Sequence, residues 1–120
     1  IGRVKRKYIP SYMSLSDILV ANYLPNNYMD ICVPGKLFEY AISNKPLVMG
    51  SNGEAKELIK EYKLGVSVKP SSVDEFKNAF IKLSDKSYIH NPNLSLFCNK
   101  FSLDTISNNY IKIFSNLKYK

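Results

Sequence analysis

The chain has 120 residues, a net charge of +7 and 45% hydrophobic residues, with nine Tyr and six Phe among its aromatics. That length holds one domain with a core and excludes two. No apolar run approaches the ~20 residues of a membrane span. The two Cys, at positions 32 and 98, make no disulfide framework, and no metal-ligand spacing is present.

A reducing, cytoplasmic setting is the simplest reading. No secretory signal is visible, and a truncated start would hide one. The basic groups cluster at Arg3-Lys5-Arg6-Lys7 and at Lys112-Lys118-Lys120. Two readings of them stand: attraction to phosphate-rich partners or an anionic membrane surface, or a basic surface that is merely solvated or balanced by a missing portion of the protein. No helix-turn-helix, RNA-recognition or zinc-finger module is present, so nucleic acid is not an expected partner.

In chain order, residues 17–23 form a short apolar run, predicted as a strand buried on both faces. Residues 24–33, with Pro25-Asn26-Asn27, read as a polar loop. A helix follows over about 34–43, then a strand over 46–50 opened by Pro46, which lacks a ladder donor. Ser51-Asn52-Gly53-Glu54 has capping-box spacing and leads into a helix with Leu58, Ile59 and Tyr62 on one face. For Glu54 the capping role is preferred over a ligand contact. Gly50 and Gly53 are placed to let backbone approach a ligand. Gly65 reads as a helix stop before the alternating strand Val66-Ser67-Val68, which Pro70 ends.

Ser72-Val73-Asp74-Glu75 repeats the capping-box pattern. Val73, Phe76, Phe80 and Leu83 then form one helical stripe, read as core. The sole histidine, His90, lies in a loop over 85–93 and reads as structural or solvated. A short helix over 94–101 and a last one over about 102–118, striped by Ile106, Tyr110, Ile113 and Leu117, complete the chain. The order β-α-β-α-β-α-α predicts an α/β fold: a parallel sheet with helices on both faces. Three strands are expected, with a fourth before or including Ile1. The open sheet edge is a predicted site of self-association or weak stability.

The helix near residue 34 carries the chemistry. Pro34 suits a first helical position, and Gly35 lets a ligand approach the backbone. The free amides of the first turn and the helix dipole favour an anion such as phosphate, and Lys36 adds a positive charge. Glu39 lies on the same side as Gly35 and Lys36, roughly 5–6 Å further along the axis. That is the reach from a phosphate to a ribose diol, and a carboxylate on a ribose is a known device of dinucleotide-binding folds. Leu37, Phe38, Ala41 and Ile42 form the apolar face expected to meet the sheet. From spacing alone, an ordinary amphipathic helix with a solvated Lys-Glu pair is an equal reading.

The order of segments adds a resemblance. Ile1-Gly2-Arg3-Val4 with Tyr8-Ile9-Pro10-Ser11-Tyr12-Met13, Ser16-Asp17-Ile18-Leu19-Val20, Pro34-Gly35-Lys36-Leu37-Phe38-Glu39-Tyr40, Asn44-Lys45-Pro46-Leu47-Val48, Gly53-Glu54, Leu58-Ile59 and Gly65-Val66 occur in this order. Together they resemble the C-terminal, donor-binding domain of GT-B glycosyltransferases of the family 4, or "group 1", type. The first of these segments looks like the family's Gly-containing loop and the short helix after it. The resemblance implies a Rossmann-like three-layer α/β/α fold, with residues 1–120 forming a single, partial domain.

It also implies a nucleotide-sugar donor as substrate and a glycan or lipid-linked acceptor, as in polysaccharide and cell-envelope glycoconjugate synthesis. No cofactor is implied and no metal is required. The implied donor-binding residues are Gly2, Arg3, Pro34, Gly35, Lys36, Leu37 and Glu39, with Glu39 on the ribose hydroxyls and Gly2 and Arg3 near the nucleobase. Glu39 matches the second Glu of the family's E-x7-E motif, while Ile31 stands where the first would be, as is common in members with this form of the motif. No catalytic base is identifiable. An acceptor domain and the early βα elements are absent from the sequence, which reads as a fragment or, alternatively, as the donor-binding subunit of a split enzyme. Peripheral contact with the inner face of a membrane would suit a lipid-linked acceptor. Two readings from other classes are a non-catalytic nucleotide- or phosphate-binding module and an interaction domain whose basic face meets membrane lipids.

Overall fold

The computed structural model describes residues 1–25 and 27–117. Asn26 of the expected loop and Lys118 and Lys120 of the C-terminal basic group lie outside them. A 3-10 turn over Arg6–Tyr8 leads into α1 (Ile9–Leu15), β1 (Leu19–Asn22), α2 (Asn27–Ile31), α3 (Gly35–Ile42), β2 (Leu47–Gly50), α4 (Gly53–Glu61), β3 (Gly65–Val68), α5 (Val73–Ser84), α6 (Leu94–Phe101) and α7 (Leu103–Asn116). The strands form one parallel sheet in the order β1-β2-β3, with Leu19, Leu47 and Gly65 level with one another. Helices cover both faces, so the fold is Rossmann-like α/β/α.

Side-chain alternation divides the core between the two faces. On one face Leu19, Ala21, Leu47 and Met49 meet Leu37 and Ala41 of α3, Ala55, Leu58 and Ile59 of α4, and Phe97 of α6. On the other, Val48 and Val68 meet Ala79 and Leu83 of α5. β2, between two neighbours and under helices on both sides, is buried throughout. Phe97 ties α6 to this core. Its ring lies 5.6 Å from Phe38, 5.2 Å from Tyr62 and 4.9 Å from Phe101, an aromatic cluster that adds to the ~2–3 kcal/mol of burying a Phe.

Several sequence expectations are corrected. Among the described residues there is no fourth strand, and Ile1 is exposed. β1 is buried on one face only: Val20 and Asn22 are exposed. The expected loop over 24–33 contains α2. Pro34 is the N-cap of α3, with extended backbone, so the helix opens one residue later, at Gly35. Ile42 is 64% exposed because α3 turns only Leu37 and Ala41 onto the sheet, with Phe38 against α6.

Ser51 does not cap α4. It is buried, its Oγ is 3.3 Å from Ser67 Oγ and its carbonyl accepts from that hydroxyl. Asn52 holds the cap position without a side-chain bond, and Glu54 complements the helix dipole from the first turn. Gly50 and Gly53 admit other parts of the chain, not a ligand. A Cβ on Gly50 would strike Asn22 Oδ1, and one on Gly53, at φ +55°, would strike the Asp30 carbonyl oxygen of α2.

Ser72 does accept from Glu75 N, but Glu75 turns its carboxylate to Lys69 N at 2.7 Å. The α5 stripe is core only at its inner end. Val73 is 80% exposed and Phe80 partly so, because the sheet beneath α5 has three strands among the described residues. α7 buries none of its residues and does not lie on the sheet. It follows α6 directly after Ser102, and Ile106, Tyr110, Ile113 and Leu117 are all exposed.

Candidate functional site

α3 starts after the C-terminal end of β1, at the rim where parallel sheets present helix N-termini to ligands. Pro34 suits the cap because it has no N–H to satisfy there. Its carbonyl accepts from Leu37 N at 2.9 Å, which tightens the first turn. The amides of Gly35 and Lys36 precede any intrahelical acceptor. A Cβ on Gly35 would meet nothing within 4 Å, and its backbone is not left-handed. The fold therefore does not require glycine at this position, in contrast with Gly53.

From this start α3 runs beside the N-terminal segment and α1, and a hollow of about 390 Å³ opens between them. Gly2, Lys36 and Glu39 line it together, with Val4, Ile9, Tyr12 and Met13 as an apolar wall. A second hollow of about 400 Å³ shares Ile9, Met13 and Glu39 and adds Arg6, Pro10, Ile42 and Ser43. Glu39 thus stands between the two hollows. It is exposed, and among the described residues no ion pair engages it, Lys36 or Arg6.

Behind Glu39, Tyr40 donates its hydroxyl to the Val20 carbonyl at 3.2 Å. The register turns that carbonyl away from β2, so the phenol satisfies a group on the sheet's open edge. Burial, and then the nearby Glu39 charge, raises the Tyr40 pKa. Burial also raises that of Tyr23, helped by Tyr40 and Glu39. Both phenols therefore remain protonated donors beside the carboxylate. Ser14 and Ser43 are committed to local carbonyls, at 2.8 and 2.6 Å. Among the described residues, the polar side chains of the two hollows with no hydrogen bond are thus Lys36, Arg6, Glu39 and the Tyr12 phenol.

Of the residues expected at the site, the structure brings Gly2, Lys36 and Glu39 into one hollow. Pro34 and Gly35 form the helix opening next to it. Leu37 is fully buried in the core, so only its amide faces the first turn, and that amide is used by Pro34. Arg3 is exposed and lines neither hollow.

Arg6 and the wall of Ile9, Tyr12 and Met13 were not identified from sequence as site residues. Arg6 was visible only as part of a basic run, and the wall only as a short helix in the family resemblance. What meets across α1 and α3 is a long-range contact that no local pattern states. Among the described residues no group of three His, Cys, Asp or Glu could hold a metal ion, and no helix is long and apolar enough to cross a membrane.

Fold and hollow together define a Rossmann-like α/β/α protein with a mixed-charge hollow beside its outermost strand. Compared with protein-family models, curated proteins and solved structures, the chain matches none of them.

Proposed function

We propose that this chain is the donor-binding part of a glycosyltransferase. It binds a nucleotide-activated sugar, which is transferred to a glycan or lipid-linked acceptor. The observation that carries the reading is Glu39: an exposed carboxylate one turn beyond an open helix start, sharing a hollow with Lys36 and Gly2. In this reading the Gly35 and Lys36 amides and the Lys36 ammonium hold the diphosphate and stabilise it as charge develops on the leaving group. Glu39 accepts from the ribose hydroxyls. The Gly2 backbone and the Ile9, Tyr12 and Met13 wall lie against the base. Arg6, across Glu39, offers a second cation to the phosphates or to an acidic sugar.

The residue that would act as catalytic base lies in the acceptor half of the enzyme, on another domain or subunit. The reading places the protein in the cytoplasm, peripheral to the inner face of a membrane. Titration of the chain with UDP-, GDP- and ADP-sugars by calorimetry tests it. Saturable binding of one of the three supports the reading, and absence of binding to all three contradicts it.

A further inference from the structure

The opposite edge of the sheet carries another hollow, of about 350 Å³, which wraps around β3. Lys56 and Lys60 reach it from α4, Lys63 from the turn after α4 and Lys82 from α5, with Ser67 and Tyr88 beside them. Among the described residues no carboxylate lines it. Of the acidic residues on the flanking elements, Glu61 pairs with Lys100 Nζ at 3.5 Å, Asp85 accepts from the amide and hydroxyl of Ser87 at 2.7 and 2.6 Å, and Glu57 lies on α4 outside the lining. Lys56 and Lys60, one helical turn apart, repel each other.

Lys63 is held in a costly conformation. At φ +54° it occupies the left-handed position after α4, with Leu64 N on Ile59 O at 3.0 Å and Lys63 N on Lys60 O at 3.3 Å. This is a Schellman ending, in which the position is ordinarily glycine. Non-glycine residues in such conformations gather at functional sites. The parallel register also turns the Gly65 and Ser67 amides outward, away from β2. Burial keeps the Tyr88 phenol protonated and able to donate.

We propose that this hollow is an anion site for a multiply charged phosphate group, either a free polyphosphate or the phosphorylated headgroup of a lipid. The four ammonium groups supply the charge, and the edge amides and the Tyr88 hydroxyl supply directed donors. The site lies on the far edge of the sheet from Glu39 and does not depend on the glycosyltransferase reading.

The test uses the whole chain and two probes: tripolyphosphate by calorimetry, and phosphatidylcholine vesicles with or without phosphatidic acid by co-sedimentation. The variant Lys56→Gln/Lys60→Gln/Lys63→Gly/Lys82→Gln is compared with a charge-matched control, Lys5→Gln/Lys7→Gln/Lys77→Gln/Lys112→Gln. Removal of each hollow lysine should weaken binding about fivefold at low salt, and the four together a hundredfold or more. The single change Lys63→Gly should weaken binding about fivefold while leaving Tm equal or higher, which separates lost binding from lost folding. A loss confined to tripolyphosphate identifies a free anion, and a loss confined to vesicles identifies a headgroup. No binding of either probe, or equal losses in the hollow and control variants, overturns the proposal.

Discussion

Two glycines one helix apart should respond to the same substitution with opposite signs. In Gly53→Ala the new methyl has nowhere to go. It would lie 1.7 Å from the Asp30 carbonyl oxygen and 2.7 Å from its carbon, and the residue sits at φ +55°. The left-handed conformation costs an L-residue about 1–2 kcal/mol, and forced backbone movement at an overpacked contact adds about 1–3 kcal/mol. The sum, roughly 2–5 kcal/mol, is a large share of the ~5–15 kcal/mol that holds a small domain together.

Gly35→Ala meets nothing within 4 Å on a backbone any residue adopts. It should leave stability unchanged or raise it by about 0.5–1 kcal/mol through lost chain entropy. Urea unfolding followed by circular dichroism measures both. The midpoint for Gly53→Ala should fall well below that of the parent chain, and the midpoint for Gly35→Ala should not. Nucleotide-sugar binding by Gly35→Ala should nevertheless weaken, because the methyl stands where phosphate approaches the amides. A Gly35→Ala chain that is stable and binds as tightly as the parent would refute the role given to that helix start. A Gly53→Ala chain of undiminished stability would refute the docking of α2 on α4.

Three further outcomes follow from the packing and the titrating groups. Phe97→Ala removes the ring joining Phe38, Tyr62 and Phe101 and should cost about 3–5 kcal/mol, read as a lower urea midpoint. Burial lowers the His90 pKa, and its Nδ1 has no partner among the described residues, so the unfolded chain takes up the proton more readily. Stability should therefore be full above the ordinary His value of about 6.5 and fall as pH drops through it, and His90→Gln should flatten that part of a thermal-melt pH profile. Tyr40→Phe frees the Val20 carbonyl on the open edge of β1 and should increase self-association in sedimentation velocity; unchanged sedimentation would remove that hydroxyl from edge protection.

The strands and helices legible in the sequence are those whose signal is local. β2 and β3 are short apolar runs between turn residues, α3 and α5 show their apolar period, and α5 shows its capped start. The misreadings arise where a tertiary partner decides. Ser51 has the spacing of a cap, yet Ser67 on the neighbouring strand offers it a better-matched partner. Gly50 and Gly53 read as open to a ligand, yet Asn22 and Asp30 fill the space. The α5 stripe has core periodicity and Phe76 and Leu83 do meet the core, but Val73 and Phe80 run past the three strands described, and periodicity does not reveal how many strands lie beneath. At the candidate site, Lys36 and Glu39 were readable from helical spacing. Their meeting with Gly2 and Met13, and that of Glu39 with Arg6, depends on how α1 lies along α3, which no spacing records.

The central claim is that Glu39 grips a ribose diol while the start of α3 holds the phosphates. The most direct measurement is a calorimetric cycle with the nucleoside diphosphate that binds best, its 2′-deoxy analogue, the parent chain and Glu39→Ala. Removing either the carboxylate or the hydroxyl should weaken binding by about 1.5–3 kcal/mol, the range for a hydrogen bond to a charged group, and removing both should cost little more than removing one. Equal affinity of the parent chain for the ribose and deoxyribose forms, or fully additive losses, would contradict it.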